Sequence, residues 1–293
     1  MSNSLLSKIK PFTPKYIQRV YRKYRKWERF NKRFLVNQGK PSLENIVTEG
    51  ESFKIIINPY VNGCVDDVIA SDGIWEPLMS KKIKELLPPN GTFIDIGANI
   101  GYHSLFAATL HNRTTNVIAF EPQKNIYEMF RKSITENVYN NIRLFNCGLS
   151  NYEGTAALNI FEENKGASSL TQGITHHSGE AMMEEIQIKQ LDSFLNEVQR
   201  ADIIKIDVEG FEFEVLIGGL DLIRKYQPTL FIEFSPGLYN LRDTAITQKF
   251  ITLLSDLDYK TYTIKGEPLN LEAWSAQALL DTDQIDILCM VNK

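Results

Sequence analysis

A chain of 293 residues, 43% apolar and 23% charged, can hold one large α/β domain or two small ones around a sizeable core, which excludes fibrous and globally disordered classes. Its longest apolar runs, such as Ile203–Ile206 and Thr229–Phe234, fall far short of the roughly 20 residues that cross a bilayer. Met1–Lys10 has no secretory leader pattern either, so the expected setting is cytoplasmic, including the cytosolic face of a membrane.

The net charge of −4 conceals a division. Residues 1–40 carry twelve Lys and Arg against one acid, Glu28, a balance of +11, and the rest of the chain stands at −15. Such a block of like charge is an interaction segment. Within it Tyr16, Ile17, Val20, Tyr24, Trp27 and Phe30 recur near helical spacing, so residues 1–45 are expected to be a basic amphipathic helical arm. Its aromatic stripe suits docking on protein, a homo-oligomer's partner copy included, or a peripheral anionic membrane. The turn-rich stretch Asn37–Ser42 separates arm from domain.

The domain is expected over 46–293, with an entry subdomain at 46–90 and a core at 91–293. The entry subdomain reads as a strand at Phe53–Ile57, turns at Asn58-Pro59 and Asn62-Gly63, and a helix at Glu76–Leu87 stopped by Pro88-Pro89. From Thr92 strands and helices alternate: strand Thr92–Ile96, helix Gly101–Leu110, strand Asn116–Glu121, helix Lys124–Asn137, strand Ile142–Asn146. After a segment without clear period come strand Glu185–Leu191, a short helix Asp192–Val198, strand Ile203–Asp207, helix Glu212–Lys225 and strand Thr229–Phe234. Helix Thr247–Leu257 and strands near Lys260–Ile264 and Ile285–Val291 follow. Repeated βα units imply a mostly parallel sheet with helices on both faces, which places ligands at the carboxyl ends of its strands. The cysteines Cys64, Cys147 and Cys289 have no metal or disulfide spacing and read as inert thiols.

The stretch Phe93–Ser104 runs a buried strand into Asp95, then turns through Gly97, Ala98, Asn99 and Gly101 into a helix. A dinucleotide site would show Gly-x-Gly-x-x-Gly; Asp-x-Gly-x-x-x-Gly suits a ligand without phosphates. S-adenosyl-L-methionine (SAM) is such a ligand, its amino group met by Asp95. Glu121, ending the next strand, can accept from both ribose hydroxyls, and Asn146, ending the third, can read the adenine amino group or simply form a turn.

Together with these, Ala119–Pro122, Gly154, Gly166–Leu170, Gln190–Ser193, Pro228–Glu233 and above all the Lys-Ile-Asp-x-Glu-Gly element of Lys205–Gly210 resemble the FkbM family of SAM-dependent methyltransferases, over about residues 50–235. The resemblance implies a Rossmann-like class I methyltransferase fold. It also implies O-methylation of a sugar hydroxyl in a glycan, glycolipid or glycosylated natural product.

Methyl transfer to a sugar hydroxyl needs in-line alignment and a group to take the proton. Asp207 and Glu209, beyond strand Ile203–Asp207, are the leading catalytic candidates, with alternation putting both on one side. Asp207 can instead fix the acceptor, and Glu209 can serve the next helix's dipole. His103, one turn into the loop's helix, is a third candidate, and His176-His177 lie in a polar stretch, Gln172–Glu180, that reads as a substrate loop or lid. Lys205 is expected on the opposite side of its strand from Asp207, paired with an acid. A divalent metal between Asp207 and Glu233 is the less favoured design. Two other readings are a nucleic-acid methyltransferase, disfavoured because Asp207–Gly210 is not the Pro-Pro-aromatic type that holds a flipped base, and a non-enzymatic scaffold that binds lipid or a partner.

Overall fold

The computed structural model describes residues 41–58, 64–161, 164–169, 181–274 and 284–291. Residues 1–40 of the expected arm, the turn at 62–63 and His176-His177 lie outside these residues. Strands β1 (Ser42–Thr48) and β2 (Glu51–Ile57) form a hairpin, followed by helices α1 (Cys64–Asp72) and α2 (Pro77–Leu86). Next come β3 (Thr92–Ile96), α3 (Tyr102–Arg113), β4 (Asn116–Phe120), α4 (Lys124–Glu136) and β5 (Ile142–Phe145). Four strands then build a second sheet: β6 (Gly148–Leu149), β7 (Gly154–Phe161), β8 (Asn164–Ser169) and β9 (Ala181–Lys189). The chain re-enters the main sheet with β10 (Ile203–Ile206), α5 (Glu212–Ile217), α6 (Leu220–Tyr226) and β11 (Thr229–Phe234). It ends in α7 (Pro236–Arg242), α8 (Ile246–Asp256), β12 (Tyr259–Thr263) and β13 (Ile285–Val291).

The main sheet has the order β12-β13-β11-β10-β3-β4-β5. Its five central and right-hand strands run parallel, and β13 lies between β11 and β12, antiparallel to both. Every residue of β3 and β10 is buried, as expected of parallel strands covered on both faces. Alternation sorts their side chains: Ile94, Ile96, Ile204 and Ile206 enter the core under α5, α6 and α8, while Phe93 and Ile203 face the core formed with α3, α4 and β2. This is the mostly parallel α/β architecture read from the sequence. The chain leaves β3 toward β4 and β5, then returns on the other side as β10 and β11, so the sheet has its switch point beside β3. Cys147 and Cys289 are buried free thiols, and among the described residues no helix is long and apolar enough to cross a membrane.

Some expectations are corrected. β1 begins at Ser42, ahead of the expected domain start at residue 46, and α1 and α7 were not expected at all. The helix expected over 212–225 is two, α5 and α6, broken at Gly218-Gly219. The cause is a close approach: a Cβ on Gly218 would sit 2.0 Å from the Ser150 carbonyl oxygen, and one on Gly219 2.7 Å from Leu191. The helix expected at Asp192–Val198 is a single 3₁₀ turn, Leu191–Phe194.

Candidate functional site

A cavity of about 420 Å³ opens at the carboxyl ends of β4, β3, β10 and β11, within the size range of small-ligand sites. Gly97, Asn99 and Glu121 line one end, and Asp207, Glu209 and Glu233 the other. The sheet dictates this order, because each of these residues lies at or just beyond the tip of its strand.

The loop after β3 is wound tightly enough to consume its own amides. Gly97 and Ala98 both donate to the Phe120 carbonyl, at 3.1 and 3.0 Å, and Asn99 N–H donates to Glu121 Oε2 at 2.9 Å. Ile100 N–H donates to Asn99 Oδ1 and Gly101 N–H to the Ala98 carbonyl. Gly97, Asn99 and Gly101 all take positive φ, and a Cβ on Gly101 would lie 2.2 Å from the Phe130 ring. Glu121 is only 7% exposed, with Oε1 accepting from Gln123 N–H at 2.8 Å. Burial first, then the charges of Asp95 and Asp207, push its carboxyl up to about 7 against the pull of these two amides.

Asp95 and Lys205 are direct partners in the β3–β10 register and occupy the same face. Asp95 is 1% exposed and sits behind the cavity wall; its Oδ2 accepts from Ser104 at 2.6 Å, while Oδ1 has no hydrogen-bond partner among the described residues and stands 3.9 Å from Lys205 Nζ. Lys205 Nζ donates to Asp207 Oδ2 at 2.8 Å. The expectation that Lys205 faces away from Asp207 is therefore corrected: positions two apart on one strand share a side. Desolvation would strip the Lys205 proton, but Asp207, Asp95 and Glu76 together hold its pKa above the usual value.

Beyond Ile206 the chain leaves the strand, and Glu209 and Gly210 adopt positive φ. Glu212 braces this loop by accepting from Val208 and Gly210 N–H, each at 3.1 Å, a role for which sequence reading offered no signal beyond an acid in a first helical turn. Carboxylate oxygens of Asp207, Glu209 and Glu233 come within 4.8 Å of one another. Their proton affinities separate. Burial alone would raise the Asp207 carboxyl, yet the Lys205 ammonium and a hydrogen bond with Glu233 bring it below the usual range. Glu209 is pushed up to about 8 by burial and then by Asp207 and Glu212, and Glu233 is raised well above its ordinary value by burial, Asp207 and Glu209.

Four sequence candidates do not line the cavity: Asp95 and Gly101, described above, and Asn146 and His103. Asn146 does not line the cavity; its amide donates to the carbonyls of Glu121 and Pro122, both at 2.9 Å, so it braces the turn after β4. His103 is 4% exposed and also off the cavity wall, with Nε2 2.9 Å from Glu76 Oε2. Trp75, Glu76 and Gln284 line the cavity but escaped the sequence reading, since none ends a core strand or belongs to a motif.

A family model described as "Methyltransferase FkbM domain" matches residues 95–261. The chain is similar to methyltransferase sdnD of Sordaria araneosa, 29% identical over 160 residues, which is 45% of this chain and 61% of that protein. It is also similar to methyltransferase 1 of Beauveria bassiana, 27% identical over 187 residues, 57% of this chain and 72% of that one. A third relative is the hexuronic acid methyltransferase AglP of Haloferax volcanii, 29% identical over 124 residues, 42% of this chain and 48% of that one. Among solved structures, a crystal structure of methyltransferase FkbM from Methylobacillus flagellatus aligns with TM-score 0.41 and 14% identity, over 76% of this chain and 52% of that one.

Proposed function

Because the chain belongs to the FkbM methyltransferase family, we propose that it is a SAM-dependent O-methyltransferase acting on a sugar hydroxyl of a glycan, glycolipid or glycosylated natural product. The observation that carries the cofactor assignment is the loop at 97–101, whose five amides are all bonded within the protein. A pyrophosphate would find no free donors there. A phosphate-free nucleoside fits better, because Glu121 offers a carboxylate to ribose hydroxyls from the cavity wall. When bound, SAM supplies an electrophilic methyl group on a sulfonium.

The residues of β10 and β11 would then do the work on the acceptor. Asp207, held ionised by Lys205, accepts the hydroxyl's hydrogen bond and takes its proton as the oxygen–methyl bond forms and the carbon–sulfur bond breaks. Glu209 is the alternative acceptor of that proton.

Glu121→Ala should weaken SAM binding roughly ten- to a hundredfold, since a hydrogen bond to a charged acceptor contributes about 1.5–3 kcal/mol. Because Glu121 also anchors Asn99 and Gln123, the thermal midpoint should fall modestly as well. The sign of the pH dependence follows from its raised carboxyl: with the ionised form binding, affinity should be full above about pH 7 and fall about tenfold per unit below it. Calorimetric titration with SAM between about pH 6 and 8 reads both; a flat profile and unchanged affinity in Glu121→Ala would remove the ribose assignment.

Three clustered carboxylates have the oxygen donors that a hard divalent cation prefers. The Lys205 ammonium already supplies positive charge to Asp207, so turnover should survive chelation with EDTA. Loss of activity, restored by added Mg²⁺ or Mn²⁺, would recast Asp207 and Glu233 as metal ligands.

A further inference from the structure

Glu76 combines four features. It lines the cavity from the segment between α1 and α2 and takes a left-handed φ of 39°. Its Oε2 meets His103 Nε2 at 2.9 Å, and its Oε1 has no hydrogen bond among the described residues. His103 is almost fully buried and has no partner for Nδ1 among the described residues, so its Nε2, facing the Glu76 carboxylate, makes its one side-chain hydrogen bond there. A buried imidazole thus holds a single carboxylate of the cavity wall in place.

The place of Glu76 along the wall can be read from its neighbours. Its charge acts on Lys205 of β10 and on Asp286 of β13. Glu121, just beyond β4, feels Asp95 and Asp207 instead. Glu76 shares the cavity wall with Asp207, Glu233 and Gln284 and acts on its β10 and β13 side. Trp75 is beside it in the wall. Trp75, Glu76 and Gln284 all fall outside residues 95–261, the span matched by the family model, whereas Gly97, Asn99 and Glu121 fall within it. The acceptor end is thus built partly from chain that the family span does not include.

We propose that Glu76 binds and orients the acceptor through a hydroxyl next to the one whose proton Asp207 takes, beside Trp75, that His103 is its positioning residue, and that the acceptor is an uncharged pyranoside. The sugar part rests on the function proposed above. An indole next to a carboxylate suits a ring with an apolar C–H face and hydroxyl donors. A uronate would bring its own negative charge against Asp207 and Glu76, so this cavity should discriminate against the acceptor class named in AglP.

The test uses the full chain, SAM, and a panel of methyl glycosides of glucose, galactose, mannose and rhamnose, with methyl glucuronoside and the non-sugar catechol. For a neutral glycoside that turns over, Glu76→Gln should raise the acceptor KM at least about tenfold, with kcat changed only a few-fold and SAM affinity unchanged. Glu76→Asp should recover part of the loss. His103→Phe, which keeps a ring but removes the donor, should reproduce it, and His103→Gln, which returns a donor near Nε2, should restore binding. An unchanged KM in Glu76→Gln, or a matching loss of SAM affinity, overturns the role of Glu76. Preference for the glucuronoside overturns the uncharged acceptor. Catechol as the sole acceptor defeats the sugar reading alone, and Glu76 is then judged by the KM for catechol. If nothing in the panel turns over, the sugar reading falls and SAM affinity decides: a loss in Glu76→Gln rejects the acceptor role, and a wild-type value upholds its placement away from the cofactor.

Discussion

Gly97→Ala should abolish SAM binding and lower the thermal midpoint by roughly 10 °C. A Cβ at this position would stand 1.8 Å from the carbonyl oxygen of Asp207 and 2.9 Å from its carbonyl carbon. Both are backbone atoms, so no side-chain rotation relieves the clash. Gly97 also holds φ at 76°, where a side chain costs about 1–2 kcal/mol. Overpacking adds about 1–3 kcal/mol. Separation of the β3 and β10 loops would relieve it, at the expense of the hydrogen bond from Asp207 N–H to the Ile96 carbonyl and of the cavity itself. Thermal melting and calorimetry with SAM measure the two effects. A folded Gly97→Ala protein with wild-type affinity would show that these loops do not approach as described.

Asp207→Asn should lower kcat by about 10²–10⁴, the usual loss on removing a general base, while SAM affinity changes only a few-fold. The same substitution leaves the Lys205 ammonium with a neutral amide at 2.8 Å and Asp95 at 3.9 Å. Stranding a buried charge costs about 3–5 kcal/mol; since Asp207 is about one-third exposed to the cavity, the lower end applies. Stability and catalysis can be separated with the double variant Lys205→Met/Asp207→Asn, which removes both members of the pair. It should melt above Asp207→Asn yet remain as inactive. Recovery of turnover together with stability would make Asp207 a structural partner of Lys205, and Glu209→Gln would become the decisive variant.

The core strands were legible because parallel strands buried on both faces must be apolar almost throughout, as in Thr92–Ile96 and Ile203–Ile206. The acids and glycines breaking those runs at Asp95, Gly97, Glu121 and Asp207 stood out against them. Pairings across the fold were not legible. Lys205 and Asp95 meet because β10 and β3 are neighbours in register, which no local period encodes. Glu76 precedes an ordinary amphipathic helix, and only packing of the entry segment over the sheet brings it to His103. Asn146 had the right position at a strand end, but two carbonyls within reach claimed its amide first. The Gly218-Gly219 pair was a visible break signal that the apolar spacing on either side overrode.

The order of strands in the main sheet bears on how the chain is made. β13 is inserted between β11 and β12, although it follows both in sequence and is the last of the described strands. While translation is in progress, β11 and β12 can both emerge from the ribosome and still have nothing between them. Until Ile285–Val291 arrives, the backbone of Thr229–Phe234 presents an open, apolar edge, the kind of edge that recruits other nascent chains. Completion of the sheet thus waits for a strand that is made after both of its neighbours. A ribosome stalled between residues 263 and 285 would display the aggregation-prone form of this protein.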